Sequence, residues 1–228
     1  MDNAAVVAEN TTKPYSNITT DLKSAPVRTI AHMFKASRQI LDDSSALMSM
    51  IDSQGRYGLQ IAEEAELLNG DGTGQHLLGL IPQATVYSAP FALTGETGID
   101  RLGLASAQAE IALVPASGIV VNPIDWWKVR LIKDGMGRYL IGDPQMNAAM
   151  KNLWELPVAV SMALNPGQFL VGAFRAAAQL FERMAIEVLI STENADDFEK
   201  NLVSIRIEER IALCVYRPQG FITGMLPL

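Results

Sequence analysis

An α+β fold is predicted for this chain by three observations. One long helical stretch, residues 44 to 69, stands early in the sequence. Short β-branched runs follow it without the strand–helix–strand rhythm of a parallel α/β sheet, and no segment repeats. The chain then closes on a run, Leu202 to Tyr216, that alternates through Val203, Ile205, Ile207, Ile211 and Leu213 as a half-buried strand does.

Residues 2 to 27 are polar and rich in Thr, Asn and Ser, with short alternating pieces such as Asn17 to Leu22. Such a stretch forms an exposed extended arm and cannot bury enough to fold alone. Val27 to Ile40 is a mixed segment carrying Ile30, Met33 and Phe34, and it ends at Asp42-Asp43. With Ser44 that pair supplies helix caps, and Leu47, Met50, Ile51, Tyr57, Ile61, Ala65 and Leu68 fall near one helical stripe. Glu63 and Glu66 are expected to point the other way. Gly55 and Gly58 weaken the middle of this helix by about 1 kcal/mol each relative to Ala, so packing must hold it. It stops at Asn69-Gly70-Asp71-Gly72-Thr73-Gly74, whose residues tolerate left-handed backbone angles. The glycines lack the Lys-Ser/Thr of a phosphate loop and the distal Glu of a calcium loop, so they read as a turn into a second lobe.

Residues 75 to 100 are irregular, punctuated by Pro82, Pro90, Gly95 and Gly98; Leu102 to Leu113 reads as an Ala-rich helix. Ser117 to Pro123 is a short buried strand that stops at proline. Pro123 then begins a helix to Lys133 bearing Trp126 and Trp127, followed by a turn at Lys133 to Leu140. Pro157 to Val160 and Gln168 to Gly172 are strands, Arg175 to Phe181 a compact helical piece, and Glu187 to Ser191 a strand again.

The chain has 228 residues, 49% hydrophobic and 19% charged, which allows one large domain or two small ones with a sizeable core. A net charge of −7 disfavours an electrostatic grip on nucleic acid, which needs a basic face. The single Cys214 excludes a disulfide framework and lies in an apolar run that suits a buried thiol. The start carries no signal-peptide pattern, and no run reaches the ~18 apolar residues of a membrane span. The Asn-x-Thr sequences at Asn10 and Asn17 read as chance matches.

Enzyme templates find no purchase. The two histidines, His32 and His76, form no metal pair; there is no Cys-x-x-Cys, nucleophile elbow or dinucleotide fingerprint. His32, beside Met33 and Phe34, reads as a packed residue rather than a base. No cofactor or metal is implied.

An ordered string of segments does carry meaning. Val6 to Glu9 with Lys13-Pro14, Ala36 to Asp43, Leu67 to Gly74, Ser117 to Pro123, Asp125-Trp126, Lys133-Asp134, Gly137 to Tyr139, Leu156 to Val158 and Glu208-Glu209-Arg210 together resemble the major capsid proteins of the Hong Kong 97 phage family, collinearly over essentially the whole chain.

That resemblance implies a wedge-shaped subunit that assembles with itself, as pentamers and hexamers, into an icosahedral shell around DNA read without sequence specificity. The expected setting is a virion built in the cytoplasm of a host bacterium, with a portal, a scaffold and a protease as further partners and no membrane. It implies three parts: residues 1–27 as the returning half of an extended loop, 28–69 with 179–216 as a peripheral domain holding the long spine helix, and 70–178 with 217–228 as an axial domain. The front of the family's loop has no counterpart ahead of Met1. The runner-up reading is an encapsulin-like compartment housing enzymes in a bacterial cell.

The resemblance also singles out three side chains. In the family's namesake, shell maturation joins a loop Lys to an Asn of a neighbouring subunit through an isopeptide bond, with a Glu from a third chain assisting. Lys13 matches the first through Lys-Pro, Asn201 the second through Phe198-x-Lys200-Asn201, and Glu208 the third through Glu-Glu-Arg. A Lys amine is nucleophilic only when neutral, which an apolar pocket and a proton-accepting carboxylate can arrange. The plainer readings are a solvated loop tip for Lys13, a helix or turn cap for Asn201, and an ion pair with Arg210 for Glu208. Arg206, two residues before Glu208 and on the same face of a strand, is a departure from the family and would weaken the carboxylate as a proton acceptor. A single-turnover reaction of this kind would not make the protein an enzyme.

Overall fold

A computed structural model describes residues 4–16, 22–39, 45–139, 151–194 and 196–227. The caps expected at Asp42, Asp43 and Ser44, the Asn17 sequon, and the side chain of Leu47 lie outside the described residues.

The architecture is α+β, as the patterning predicts, with two sheets. The smaller is an antiparallel ribbon in the order β1-β8-β7, from β1 (Arg28–Ser37), β7 (Ala178–Ser191) and β8 (Leu202–Val215). Helix α1 (Ser45–Asn69) lies on one face of it. Ile30, Phe34, Val203, Ile205, Ile207 and Val188 meet Leu59 and Ile51 in this interface.

The larger sheet is mixed and six-stranded. Its order is β2-β9-β6-β3-β5-β4, from β2 (Thr85–Val86), β3 (Gly118–Val121), β4 (Asn152–Leu153), β5 (Leu156–Val160), β6 (Gln168–Gly172) and β9 (Phe221–Met225). Between them run α2 (Leu80–Gln83), α3 (Gly98–Ile111) and α4 (Pro123–Arg130). Leu102, Ala105, Trp126 and Val129 cover one face over Ile119, Val121, Phe169 and Val171, while Leu68, Leu80, Val114 and Leu164 pack with Val120, Leu170 and Phe221. A short α5 (Asp197–Lys200) precedes β8.

Local chemistry explains the helix ends. Thr97 and Asp100 form a reciprocal capping box on α3, which starts it at Gly98 rather than Leu102. Asn122 caps α4, accepting from Ile124 N at 2.9 Å and donating to Leu164 O at 2.7 Å, and Pro123 takes the first helical position.

Several expectations are corrected. Arg175 to Phe181 is not helical: after a turn through Ala177, residues 178 onward belong to β7, where Gln179 pairs with Cys214 and Phe181 with Ala212. The buried stripe of α1 also follows its apolar residues only in part: Ile51 and Leu68 pack inward as expected. Gly55 and Leu59 face the ribbon, whereas Met50, Tyr57 and Ile61 are exposed. A Cβ on Gly55 would stand 2.2 Å from Ile207 Cδ1, so the glycines permit a close approach that compensates for their poor helix propensity. Glu66 likewise turns inward, accepting from Leu77 N at 3.0 Å and meeting His76 at 2.7 Å, and Glu63 is half-buried. His32 is packed as expected, bonded to Gly55 O at 2.9 Å and edge-on to Phe34. Cys214 is free and only half-buried.

Candidate functional site

The alternation of β8 sorts its side chains by face. Val203, Ile205, Ile207, Glu209 and Ile211 face α1; Ser204, Arg206, Glu208 and Arg210 face away from it. Among the described residues α1 does not cover the outward face, and the short α5 meets it only at its Ser204 end. Across β1 that face continues through Ala31, Met33 and Lys35, and across β7 through Glu187 and Leu189. Met33, Leu189, Ile190, Ser204 and Arg206 line an open hollow of roughly 460 Å³ there.

Glu208 is half-buried beside that hollow. Its Oε1 meets Arg206 Nη2 at 3.2 Å, so the ion pair forms with Arg206 and not with Arg210. Ala31 and Glu187 flank it in register. With Arg206 45% exposed, such a pair is worth roughly 0.2–1 kcal/mol; its importance is that it occupies the carboxylate.

Asn201 is the C-cap of α5, one residue ahead of β8 rather than within it. Its backbone is left-handed, φ 55° and ψ 42°, a conformation Asn tolerates better than most residues. Its N–H bonds to Asp197 O, and its carbonyl accepts from Arg38 N at 3.0 Å. The side chain is exposed, and among the described residues its carboxamide has no hydrogen-bond partner.

Beneath that turn is a cluster that sequence reasoning missed. Asp197 is completely buried and receives Lys35 Nζ at 2.5 Å on one oxygen and Ser204 Oγ on the other. Ser204 in turn accepts from Asn194 Nδ2 at 3.0 Å. The Lys35 bond, then the Ser204 bond, hold the Asp197 carboxyl below the usual carboxylate range; the same contact raises Lys35. The signal was weak because Lys35 and Asp197 are 162 residues apart.

On the other face of β8, Glu209 is buried and its Oε1 has no hydrogen-bond partner among the described residues. Burial, then Glu63 on α1 and Glu182 on β7, push its pKa up to about 7.

Lys13 lies in the arm, exposed and in no regular element. The structure does not gather the three predicted residues. Leu202 and Glu208 are six strand positions apart, about 20 Å at ~3.3 Å per residue, and Asn201 lies beyond Leu202. Within one chain Asn201 and Glu208 cannot touch. Among the described residues no cluster of three or more His, Cys, Asp or Glu could hold a metal, and no helix is long and apolar enough to cross a membrane.

A family model described as the phage capsid family matches residues 1–225. The chain is 46% identical over 224 residues to the major capsid protein of Enterobacteria phage HK97; the match covers 98% of this chain and 58% of that protein, so the chain spans little more than half the length of its relative. Among solved structures, a chain from Gordonia phage Cozz is similar with a TM-score of 0.77 at 18% identity, covering 100% of this chain and 79% of that one. The capsid of a native GTA particle gives 0.68 at 20% identity, covering 95% and 81%. At such identities these two likenesses establish the shared fold.

Proposed function

The chain belongs to the phage capsid family, and from that premise we propose that it is a shell-building subunit of a tailed phage or prophage head, assembling with itself as pentamers and hexamers. The observation that carries this reading is the 46% identity to a phage major capsid protein along nearly all of the chain. The same observation favours a phage head over an encapsulin-like compartment. On this reading residues 28–69 with 179–216 are the peripheral domain, 70–178 with 217–228 the axial domain, and 1–27 part of a loop that reaches a neighbour. Portal, scaffold and protease partners belong to the proposal in the same way.

The exposed apolar residues support it. Met33 and Ile190 on the ribbon are 57% and 53% exposed, and Met50 and Tyr57 on α1 are as open. Apolar surface of this kind on two faces of one unit marks contact with other chains.

The proposal extends to a covalent step between copies. Glu208 of one chain takes a proton from the ammonium of Lys13 of another, and the free amine attacks the side-chain carbonyl of Asn201 on a third. A C–N bond forms to Lys13 Nζ, the bond to Asn201 Nδ2 breaks, and the departing nitrogen takes both the second Lys13 proton and the one returned by Glu208, so that it leaves as ammonium. The ~20 Å between Asn201 and Glu208 within a chain fits a reaction whose parts come from different chains.

The test is assembly of the purified protein followed by electron microscopy and denaturing gels. Shells or capsomers are expected, with gel ladders in wild type and none in Lys13→Ala. If no capsomers form under any condition, the shell reading falls; if ladders persist in Lys13→Ala, the cross-link assignment falls.

A further inference from the structure

We propose that Asp197 is the positioning residue for Asn201: its carboxylate staples the Asp196–Asn201 turn to the ribbon and so fixes where the carboxamide is presented. This rests on the cross-linking reading above.

The four-residue α5 is too short to hold itself by helix propensity. A completely buried carboxylate is costly unless its oxygens are bonded, and both oxygens of Asp197 are. The two donors are a cross-strand pair: Lys35 of β1 stands directly opposite Ser204 of β8. The staple therefore ends on two hydrogen-bonded strands, a rigid base. From there the turn is tied at each step. Asp197 N donates to Asn194 O at 2.9 Å, Asn194 Nδ2 donates to Ser204 Oγ, and the Asn201 N–H returns to Asp197 O. Arg38 N then holds the Asn201 carbonyl from the end of β1.

The consequence is a division within Asn201. Its backbone is fixed from both sides in a left-handed conformation, while its carboxamide remains exposed and without a partner in the described residues. Holding an electrophile in place ahead of the nucleophile's arrival is what a positioning residue contributes, and a displacement of ~1 Å can cost on the order of 100-fold in rate. Lys35 acts through Asp197 and touches none of the reacting atoms.

The test uses shells co-assembled from two kinds of copy: Lys13→Ala copies, which donate only Asn201, and Asn201→Asp copies, which donate only Lys13. Each copy can then make one bond, so the product is a cross-linked dimer, and Asp197→Asn placed in the Asn201-donating copies should slow its formation on the order of 10- to 100-fold. The same substitution in the Lys13-donating copies should leave the rate unchanged. Lys35→Met should behave as Asp197→Asn does, and Lys35→Arg, which keeps a cation, should restore most of the rate. Slowing from both placements, or from neither, overturns the inference while wild-type shells still cross-link. If wild-type shells form no ladder, the reaction falls and the inference falls with it.

Discussion

The six-stranded sheet is closed on both faces at its centre, with every residue of β3 buried, whereas the ribbon buries one face under α1 and leaves the other open at Ala31, Met33, Arg206 and Arg210. The first region completes its core within the chain. The second is half a sandwich, and both Asn201 and Glu208 belong to it. A subunit that must fold first and join neighbours afterwards needs this asymmetry: a finished core to be stable alone, and an unfinished face to be worth covering.

The largest predicted effect tests that contrast directly. Phe169, fully buried between β3 and β9, should cost about 3–5 kcal/mol when changed to Ala, in free subunits and in shells alike. Met33→Ala should shift the free subunit by no more than about 0.5 kcal/mol but lower the melting temperature of assembled shells. Thermal melts of the two states decide it. Equal effects of Met33→Ala in both states would remove the distinction between the regions.

The closed region was also the more legible one. Strand β3 shows as Ile119-Val120-Val121 ended by a proline, and α4 shows as Asn122-Pro123 ahead of Trp126, because cap and pattern are local signals. The ribbon misled where packing overrode local preference. Arg175 to Phe181 carries an Ala run that favours helix, yet pairing with β8 draws residues 178 onward into β7. In α1 the apolar stripe through Met50, Tyr57 and Ile61 looked like the core face, because burial of Gly55 leaves no mark on a hydrophobic pattern. At the site, strand alternation put both Arg206 and Arg210 on the face of Glu208 and could not decide between them, so the ion pair expected with Arg210 forms with Arg206 instead, while the Lys35–Asp197 staple depends on distant segments meeting.

A smaller effect is expected on the packed face of the ribbon. The Glu209 pKa of about 7 lies above its ordinary 4.5, so the folded state holds a proton that the unfolded state releases first. The resulting stability is fully present below about pH 4.5 and is lost as pH rises through about 7. Arg28, on the same face of β1, turns its guanidinium to Gln75 at 3.2 Å, and Glu63 and Glu182 oppose the charge. Glu209→Gln should remove this part of the pH dependence and stabilise the subunit at pH 8, by up to about 1–3 kcal/mol, the cost of an unsatisfied buried polar group. Denaturant melts at pH 5 and pH 8 check it; a variant whose difference between the two pH values matches wild type would show that Glu209 is not the group responsible.

The smallest effect on stability falls on the open face, where it has the clearest chemical consequence. Arg206→Leu removes a half-exposed ion pair and should change stability by only about 0.2–1 kcal/mol. It also frees the Glu208 oxygen that the guanidinium now holds at 3.2 Å and places an apolar side chain between Met33 and Leu189, its partners in register. Both changes favour proton acceptance from an incoming Lys13, so ladders should form faster in Arg206→Leu shells, and Glu208→Gln in the same background should abolish the gain. A time course of cross-linking that is unchanged in Arg206→Leu would mean that the pair swings apart on assembly. The open face would then have to be rearranged by its neighbours, and the contrast between a finished sheet and a face awaiting its cover would extend from packing to the charges themselves.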